Sequence, residues 1–298
     1  MIAGCVPLLF TLLPIVLQQG SEEVEEQEIV RLEAWPELSA EGKRSIKLEI
    51  DRLRKARTEE MGDDAAYALV KMGASIVPSL LPKLGKEKDE AARGRIVEVL
   101  DRVIGPEHTR LLALELDDKS QAVRAWAMQR VAAFPDPGVR AEAEKALERV
   151  AKRLAKAKKK SKADRHEHYV AALVTTSSGS LAGLDHLLSV AQKKWGDYGK
   201  DMRAALEAVR GPGATKALAG FLEEDDRIVK VAALKVLAGC GDRETAVRLV
   251  RPHLDDDDNS IRIAAINALR GIVDGDPPLD KLPVFRAIEI AREWKSRV

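Results

Sequence analysis

The stretch Ile261-Arg262-Ile263-Ala264-Ala265-Ile266 decides the fold of this chain. An apolar residue and a basic residue open it, and small and aliphatic residues follow at helical spacing. Similar phrases occur at 123–128 and 229–234. A phrase that recurs along a chain predicts a stack of similar helical units, because each unit buries its apolar face against its neighbours.

The central aliphatic residue of each phrase gives a repeat spacing. The spacings are 31, 31, 45, 33, 28 and 32 residues, between the positions Ala66, Val97, Met128, Leu173, Leu206, Leu234 and Ile266. The residues three positions further on share the same helical face, and Thr176 is the one poor fit. A second set of aliphatic segments lies upstream of several phrases, at 77–84, 111–116, 218–222 and 246–254. The pattern predicts units of two helices each.

The junction between the two helices of a unit carries a family resemblance. An acidic turn precedes the second helix in Leu116-Asp117-Asp118 before Val123-Arg124, in Leu222-Glu223 before Val229-Lys230, and in Leu254-Asp255 before Ile261-Arg262. These residues resemble HEAT repeats, including the short bacterial form grouped with phycobilisome-lyase-type repeats. The resemblance covers about 61–275 and implies an all-α fold, a right-handed α-solenoid of about seven two-helix HEAT-like repeats. It implies that the second helices line the concave side, and it says little about activity.

Composition narrows the class of partner. Charged residues make up 33% of the chain and aromatic residues 4%, which is typical of amphipathic helices. The net charge of +1 favours neither nucleic acid nor a strongly acidic partner, so we expect no nucleic-acid function. Cys5 and Cys240 are the two cysteines, too few for a disulfide framework or a cysteine metal site.

The N-terminus has the pattern of an export signal. Residues 2–17 contain no charge and are rich in Leu, Ile and Val, and an acidic stretch begins at Ser21. This apolar run is shorter than the roughly 20 residues that a membrane span needs, and Pro7 and Pro14 interrupt it. We therefore expect a signal peptide over 1–20, with an uncleaved anchor as the alternative. Either one predicts an exported, periplasmic or secreted protein.

The remaining chain divides into four predicted regions. Residues 21–60 are predicted as N-terminal capping helices, 61–138 as HEAT-like repeats, 139–165 as a protruding basic helix, and 166–298 as further repeats. A C-terminal capping helix is expected from Leu282 to Trp294. Trp35 and Trp294 are expected to seal the two ends of the array, where a terminal unit lacks a neighbour.

The basic segment is the exception within the repeat pattern. Residues 140–165 hold 11 Lys and Arg against four Asp and Glu. The predicted basic arm consists of Lys152, Arg153, Lys156, Lys158, Lys159, Lys160 and Lys162. It is interpreted either as a docking arm for an anionic polymer, lipid or acidic protein, or as a solvated helix. Its lack of interleaved aromatic residues argues against nucleic acid.

Two further sets of residues are predicted from their places in the repeat. The turn acids and the first-turn bases are expected to cap each second helix and to form a structural ladder of ion pairs: Asp89 with Arg93, Asp226 with Lys230, Asp258 with Arg262, and Arg124 in the same position. Candidate binding positions on the concave face are Gln129, Lys235, Asn267 and Arg270.

No set of residues in the sequence forms a recognisable catalytic or metal site. His166-Glu167-His168 lacks the histidine spacing of a zinc protease helix, because position 170 is Val170. Asp255-Asp256-Asp257-Asp258-Asn259 lacks the Gly and Glu of a calcium loop, because Ser260 and Ile266 occupy those positions. We expect no catalytic residue, no metal and no cofactor.

These observations predict a non-catalytic protein–protein interaction scaffold of the cell envelope or exterior, which binds an unknown protein partner on its concave helices. The alternative is an electrostatic adaptor that acts through the Lys-rich arm. An enzyme, namely a HEAT-like lyase or a glycosylase using Trp126, is a third hypothesis.

Overall fold

The computed structural model describes residues 29–279 and 281–298, and within these ranges it contains fourteen α-helices and no strand. The helices are α1 (Ala40–Lys55), α2 (Glu59–Val70), α3 (Val77–Leu84), α4 (Glu90–Val103), α5 (Thr109–Ala113), α6 (Gln121–Ala133), α7 (Arg140–Lys156), α8 (Lys162–Ser177), α9 (Leu184–Glu207), α10 (Pro212–Glu223), α11 (Arg227–Cys240), α12 (Thr245–Val250), α13 (Asn259–Leu269) and α14 (Val284–Arg297). Short 3-10 turns extend several of the first helices. The predicted signal peptide lies outside the described residues.

Successive helices pair along the chain. The pairs are α1 with α2, α3 with α4, α5 with α6, α7 with α8, α10 with α11, and α12 with α13. Second helices of successive units also pack on one another, as α6 does on α8, α8 on α9, α9 on α11 and α11 on α13. The predicted all-α solenoid of two-helix units is therefore confirmed.

Most second helices begin at a capping side chain, and the first helical residue of each gives the repeat register. The central aliphatic residue lies seven positions after the first helical residue in α2, α4, α6, α11 and α13. In α8 that position is Tyr169, whereas the sequence alignment placed Leu173 there, one helical turn too late. The shift explains the poor fit of Thr176, because the residue three positions after Tyr169 is the buried Ala172.

Helix α9 supplies both helices of one unit. It is bent at Lys194, whose φ of −142° and ψ of 29° are not helical. The first half, 184–193, buries Leu184, Leu187 and Leu188, and the second half, 195–207, packs against α11.

Residues 140–156 do not protrude, and this corrects the prediction for 139–165. Helix α7 packs against α8 and buries Ala143, Leu147 and Val150. It is the first helix of the fourth unit. The extra length before Tyr169 comes from this long helix and from the connection 157–161, not from a projection beyond the array.

The N-terminal region also differs from the prediction. Only one whole helix, α1, lies within the described part of 21–60, and it is the first helix of a unit. Before it the chain is not helical: Leu32 N–H donates to Glu107 O at 2.8 Å, and Trp35 stacks on His108 with ring centroids 5.6 Å apart. Trp35 therefore covers the junction of α4 and α5 rather than the end of the array.

The far end is closed by α14, which packs on α13 and buries Trp294 to 6% exposure. The helix begins at Val284, close to the predicted Leu282. Within 29–279 and 281–298 no single helix is both long enough and apolar enough for a membrane span; α2 and the 73–84 segment meet that length and composition only together, and they are bent by 110°.

Candidate functional site

A large concavity among the described residues is a groove on the face formed by second helices. Its walls are the second half of α9, α11 and α13, and its volume is about 1080 Å³. Partly buried aliphatic residues line it, including Val231, Ile263 and Val273. The groove exists because these three helices pack side by side and their small inner residues leave space above them. We call it the concave groove.

One wall of the concave groove is a loop held by the last unit. Residues Arg270–Asp274 form a π-helical turn, and Gly275 follows with a φ of 71°, a left-handed conformation that glycine adopts at no steric cost. Asn267 fixes the loop by two hydrogen bonds: its Nδ2 donates to Leu279 O at 3.2 Å, and its Oδ1 accepts from Leu279 N–H at 2.8 Å. Arg270 also binds the loop, at 2.9 Å from Asp276.

Trp195 is the aromatic residue of the concave groove. Gly199 lies one turn further along α9 and lets the indole approach the helix, since a Cβ at that position would lie 2.8 Å from Trp195 Cε2. The guanidinium of Arg203 and the ammonium of Lys235 each lie over the Trp195 ring, 5.8 Å from its centroid. Two cations on separate helices therefore converge on one half-buried indole.

The carboxylates of the concave groove already have cationic partners. Glu207 pairs with Arg210 at 2.7 Å. Asp276 pairs with Arg270, and Asp274 pairs with Arg297 of α14. Arg203 and Lys235, by contrast, have no carboxylate partner among the described residues. Burial lowers the pKa of Lys235, because a half-buried ammonium loses hydration.

A smaller pocket of about 400 Å³ lies on the other side of the second half of α9. Tyr169 and Tyr198 meet in it with ring centroids 4.3 Å apart, and His166 lies at its edge. The Tyr169 hydroxyl is buried and has no hydrogen-bond partner among the described residues. Burial, together with the nearby Asp201 carboxylate, raises the pKa of Tyr169. The two cavities share Ala204, so they are neighbours on one surface.

His168 and His186 form a third feature, between α8 and the first half of α9. Their rings stack at a centroid distance of 3.6 Å. Burial, followed by the effect of His168, lowers the pKa of His186 to about 4, and burial lowers the pKa of His168 as well. Both rings are therefore neutral near pH 7, and no group of three metal-binding side chains is found in the described residues.

The predicted concave residues fall into three places. Lys235 and Asn267 line the concave groove, and Gln129 lines the smaller pocket. Asn267 and Arg270 are occupied in holding the 276–279 loop, so they shape the groove instead of presenting open contacts. Their binding roles stay predictions, and within the described ranges neither Lys235 nor Gln129 has a side-chain hydrogen bond or ion pair.

The turn aspartates predicted for the structural ladder cap their helices, but they do not form the predicted ion pairs. Asp89, Asp226 and Asp258 accept hydrogen bonds from backbone N–H groups at the starts of α4, α11 and α13. The expected ion pairs of Asp89 with Arg93, Asp226 with Lys230 and Asp258 with Arg262 are absent from the described residues.

The ladder arginines bind the turn backbone instead. Arg93, Arg124 and Arg262 each donate to the carbonyl six residues earlier, namely Glu87 O at 2.8 Å, Asp118 O at 2.8 Å and Asp256 O at 2.7 Å. In α8, Arg165 donates to Lys160 O at 3.2 Å, which supports the corrected register. The capping aspartate uses its carboxylate to accept backbone N–H bonds of the helix. The guanidinium of the same helix therefore donates to backbone carbonyls of the preceding turn. These arginines are structural.

The basic arm is split by its contacts. Lys152 pairs with Glu148 at 2.6 Å, and Arg153 pairs with the buried Glu167 at 2.6 Å. The other five residues, Lys156, Lys158, Lys159, Lys160 and Lys162, are exposed around the connection between α7 and α8.

Sequence reasoning missed Trp195, Arg203 and Tyr169 as members of a site. Trp195 and Arg203 lie in the second half of α9, where no repeat phrase is visible, and Tyr169 was hidden by the register error. The eight-residue spacing of Trp195 and Arg203 was the signal that could have found them, because it places both on one helical face. Trp126, the residue considered for a glycosylase, is buried and donates to Asp101 at 2.8 Å, so it lies in no groove.

Comparison with known proteins gives one match. Residues 214–287 match the family model of HEAT repeats, and this segment contains α11, α12, α13 and most of α10. No curated protein matches the chain. The match supports a HEAT-repeat protein, and repeats of this kind commonly mediate protein–protein interaction without catalysis.

Proposed function

We propose that this chain is an exported, non-catalytic scaffold that holds a partner protein in the concave groove. The observation that carries the proposal is the groove itself, where two unpaired cations and an indole surround a channel with an aliphatic floor. Binding surfaces commonly combine an aromatic anchor and Arg with apolar contact area. The matched repeats contribute α11 and α13 to this surface.

Photo-crosslinking tests the location of binding. A benzoylphenylalanine placed at Ser260, at the exposed rim of the groove, is expected to form a discrete adduct with a partner in the source cells. The same probe at Lys216, exposed on the first helix α10, is the matched control. Equal adducts at both positions, or none at Ser260, would contradict a concave scaffold.

Export is part of the same proposal and has its own measurement. The uncharged run 2–17 followed by an acidic stretch supports a signal peptide. The mass of the chain purified from its source cells is expected to correspond to a start near residue 21, in the envelope or exterior fraction. A full-length chain found only inside the cell would refute export. Four of the six repeat spacings are 28 to 32 residues long, and they support the short bacterial repeat type.

An electrostatic adaptor is the second candidate function, and the five exposed lysines around the α7–α8 connection favour it. Binding through them is expected to weaken steeply between low and physiological salt, because exposed charges are screened. Changing Lys156, Lys158 and Lys159 to Gln would then abolish binding of the crosslinked partner. Retention of the partner by this variant at physiological salt supports the concave groove instead.

A further inference from the structure

We propose that the segment held in the concave groove is acidic and partly apolar, and that one of its carboxylates binds between Arg203 and Lys235 beside Trp195. This inference rests on the proposed function, because it names the chemistry of the partner at that same groove. It assigns Trp195, Arg203 and Lys235 as residues that determine which partner is accepted.

The first argument is the pairing of charges along the groove. Glu207, Asp274 and Asp276 all have guanidinium partners, so among the described residues no carboxylate of the groove remains to neutralise Arg203 or Lys235. Both cations lie 5.8 Å from the same ring centroid, and they are therefore no further apart than twice that distance. A carboxylate bound beside this ring is therefore attracted by both cations.

The second argument is the environment of Lys235. It lies on α11 between the indole and the aliphatic floor, and it is half-buried without an anionic partner in the described part of the chain. Burying an unpaired ammonium is costly, and a single indole face compensates only part of the lost hydration. The depressed pKa of Lys235 reflects this cost. A bound carboxylate removes it by forming a charge-assisted hydrogen bond.

The third argument concerns the remainder of the segment. Aliphatic residues such as Val231, Ile263 and Val273 line the floor, and this surface suits apolar side chains of a peptide. A polyphosphate has no apolar group to cover it. The volume of about 1080 Å³ is at the upper end of small-molecule sites, which fits several residues of a chain.

Peptide selection tests the inference with ligands that the groove itself selects. The full chain is used to select binders from a displayed library of random dodecapeptides. The best binder, and a copy with its acids changed to amides, are then titrated against native chain, Arg203→Gln and Lys235→Gln, and against Lys216→Gln as the matched control. Binding is followed by the fluorescence anisotropy of the peptide and by the change in tryptophan fluorescence of the chain. The Trp195→Phe variant identifies the part of that change that comes from Trp195.

We expect the selected peptides to share one Asp or Glu next to apolar residues. Changing that acid to its amide is expected to weaken binding about tenfold, as loss of a charged hydrogen bond does. Arg203→Gln and Lys235→Gln should weaken the acidic peptide similarly and leave the amide peptide unaffected, and Lys216→Gln should change neither. The non-additive pattern separates direct recognition from a general loss of positive charge.

Three results would overturn the inference. Selected peptides without a shared acid, or acid and arginine substitutions whose effects simply add, would show that no carboxylate binds there. Polyphosphate that binds native chain but not Arg203→Gln, and displaces the peptide, would assign the cations to an anionic polymer. A further variant, Ser260→Trp, is used to block the rim of the groove. If this variant abolishes binding of the selected peptides but these peptides share no acid, only the present inference is refuted. If none of the selected peptides is sensitive to Ser260→Trp, the concave scaffold is refuted as well.

Discussion

At the scale of single residues, Glu167 ties three helices together. Its carboxylate is buried to 2% exposure and accepts from Arg124 at 2.9 Å, Arg153 at 2.6 Å and Gln121 at 3.0 Å. Burial alone would raise the pKa of Glu167, but the hydrogen bonds from Arg153 and Arg124 outweigh it and leave the pKa below its ordinary value. The residue joins α6, α7 and α8.

Glu167→Ala is expected to lower the free energy of unfolding by about 3–5 kcal/mol, because it leaves Arg124 without its anion in a largely buried position. Urea denaturation measures the change. Glu148→Ala is the control, since Glu148 pairs with Lys152 on an exposed face and such a pair contributes only about 0.3–0.5 kcal/mol. Equal effects of the two substitutions would contradict the role given to Glu167.

The histidine pair predicts a loss of stability in mild acid. Folded His186 stays neutral down to about pH 4, whereas the unfolded chain takes up a proton near the ordinary value of 6.5. The unfolded state therefore binds more protons between these values, and stability falls as pH falls through that window.

Thermal unfolding between pH 7.5 and pH 5, about one unit above and about 1.5 units below the unperturbed histidine pKa, checks this prediction. The drop in Tm with falling pH should be smaller in His186→Gln and unchanged in the exposed His166→Gln. The contribution of Glu167 does not interfere, because its depressed pKa places that loss below its ordinary value of 4.5. A His186→Gln chain with the native pH dependence would refute the assignment.

At the scale of elements, the second helices approach closely where glycine removes a side chain. A Cβ on Gly271 would lie 2.5 Å from Ala238 O of α11, and one on Gly239 would lie 2.9 Å from Leu206 Cβ of α9. Backbone atoms cannot move aside as the end of a flexible side chain can. These contacts set the spacing of α9, α11 and α13, and through it the width of the concave groove.

Gly271→Ala is expected to destabilise the chain by about 1–3 kcal/mol, as overpacking does in a close-packed interior. Gly220→Ala is expected to stabilise the chain instead. Nothing lies within 4 Å of its added Cβ, and alanine is favoured over glycine inside a helix by about 1 kcal/mol. Chemical denaturation of both variants measures whether the free energy of unfolding falls in the first and rises in the second. A Gly271→Ala chain as stable as native would show that the helices can separate freely.

At the scale of the whole molecule, stability is distributed over neighbouring units. Each unit contacts mainly the next one, so damage at one end is expected to spread only to nearby helices. The terminal helix α14 covers α13, and the concave groove lies in the adjacent units.

Trp294→Ala is expected to cost about 3–5 kcal/mol locally, because it empties the buried contact between α14 and α13. Hydrogen exchange should become faster in α12 and α13 and stay native-like in α1 to α4. Uniformly faster exchange along the chain would indicate one cooperative core and contradict the unit-by-unit description.

The sequence by itself determined the helical class, the two-helix unit and the positions of most second helices. Local rules fix these features, because an aspartate or serine cap and an aliphatic period act within one or two turns. The phrase at 261–266 is an example, since its cap, its arginine and its buried face all lie within one helix.

Only the tertiary structure decided which residues are exposed on the array and which of them converge in the concave groove. Basic residues at 140–156 looked like a projection until packing against α8 showed which face of α7 is buried. Trp195, Arg203 and Lys235 belong to two helices separated by α10, so no local pattern joins them. Their convergence depends on how closely α9 and α11 stack, and that distance is set by side-chain volumes across the interface rather than by either helix alone.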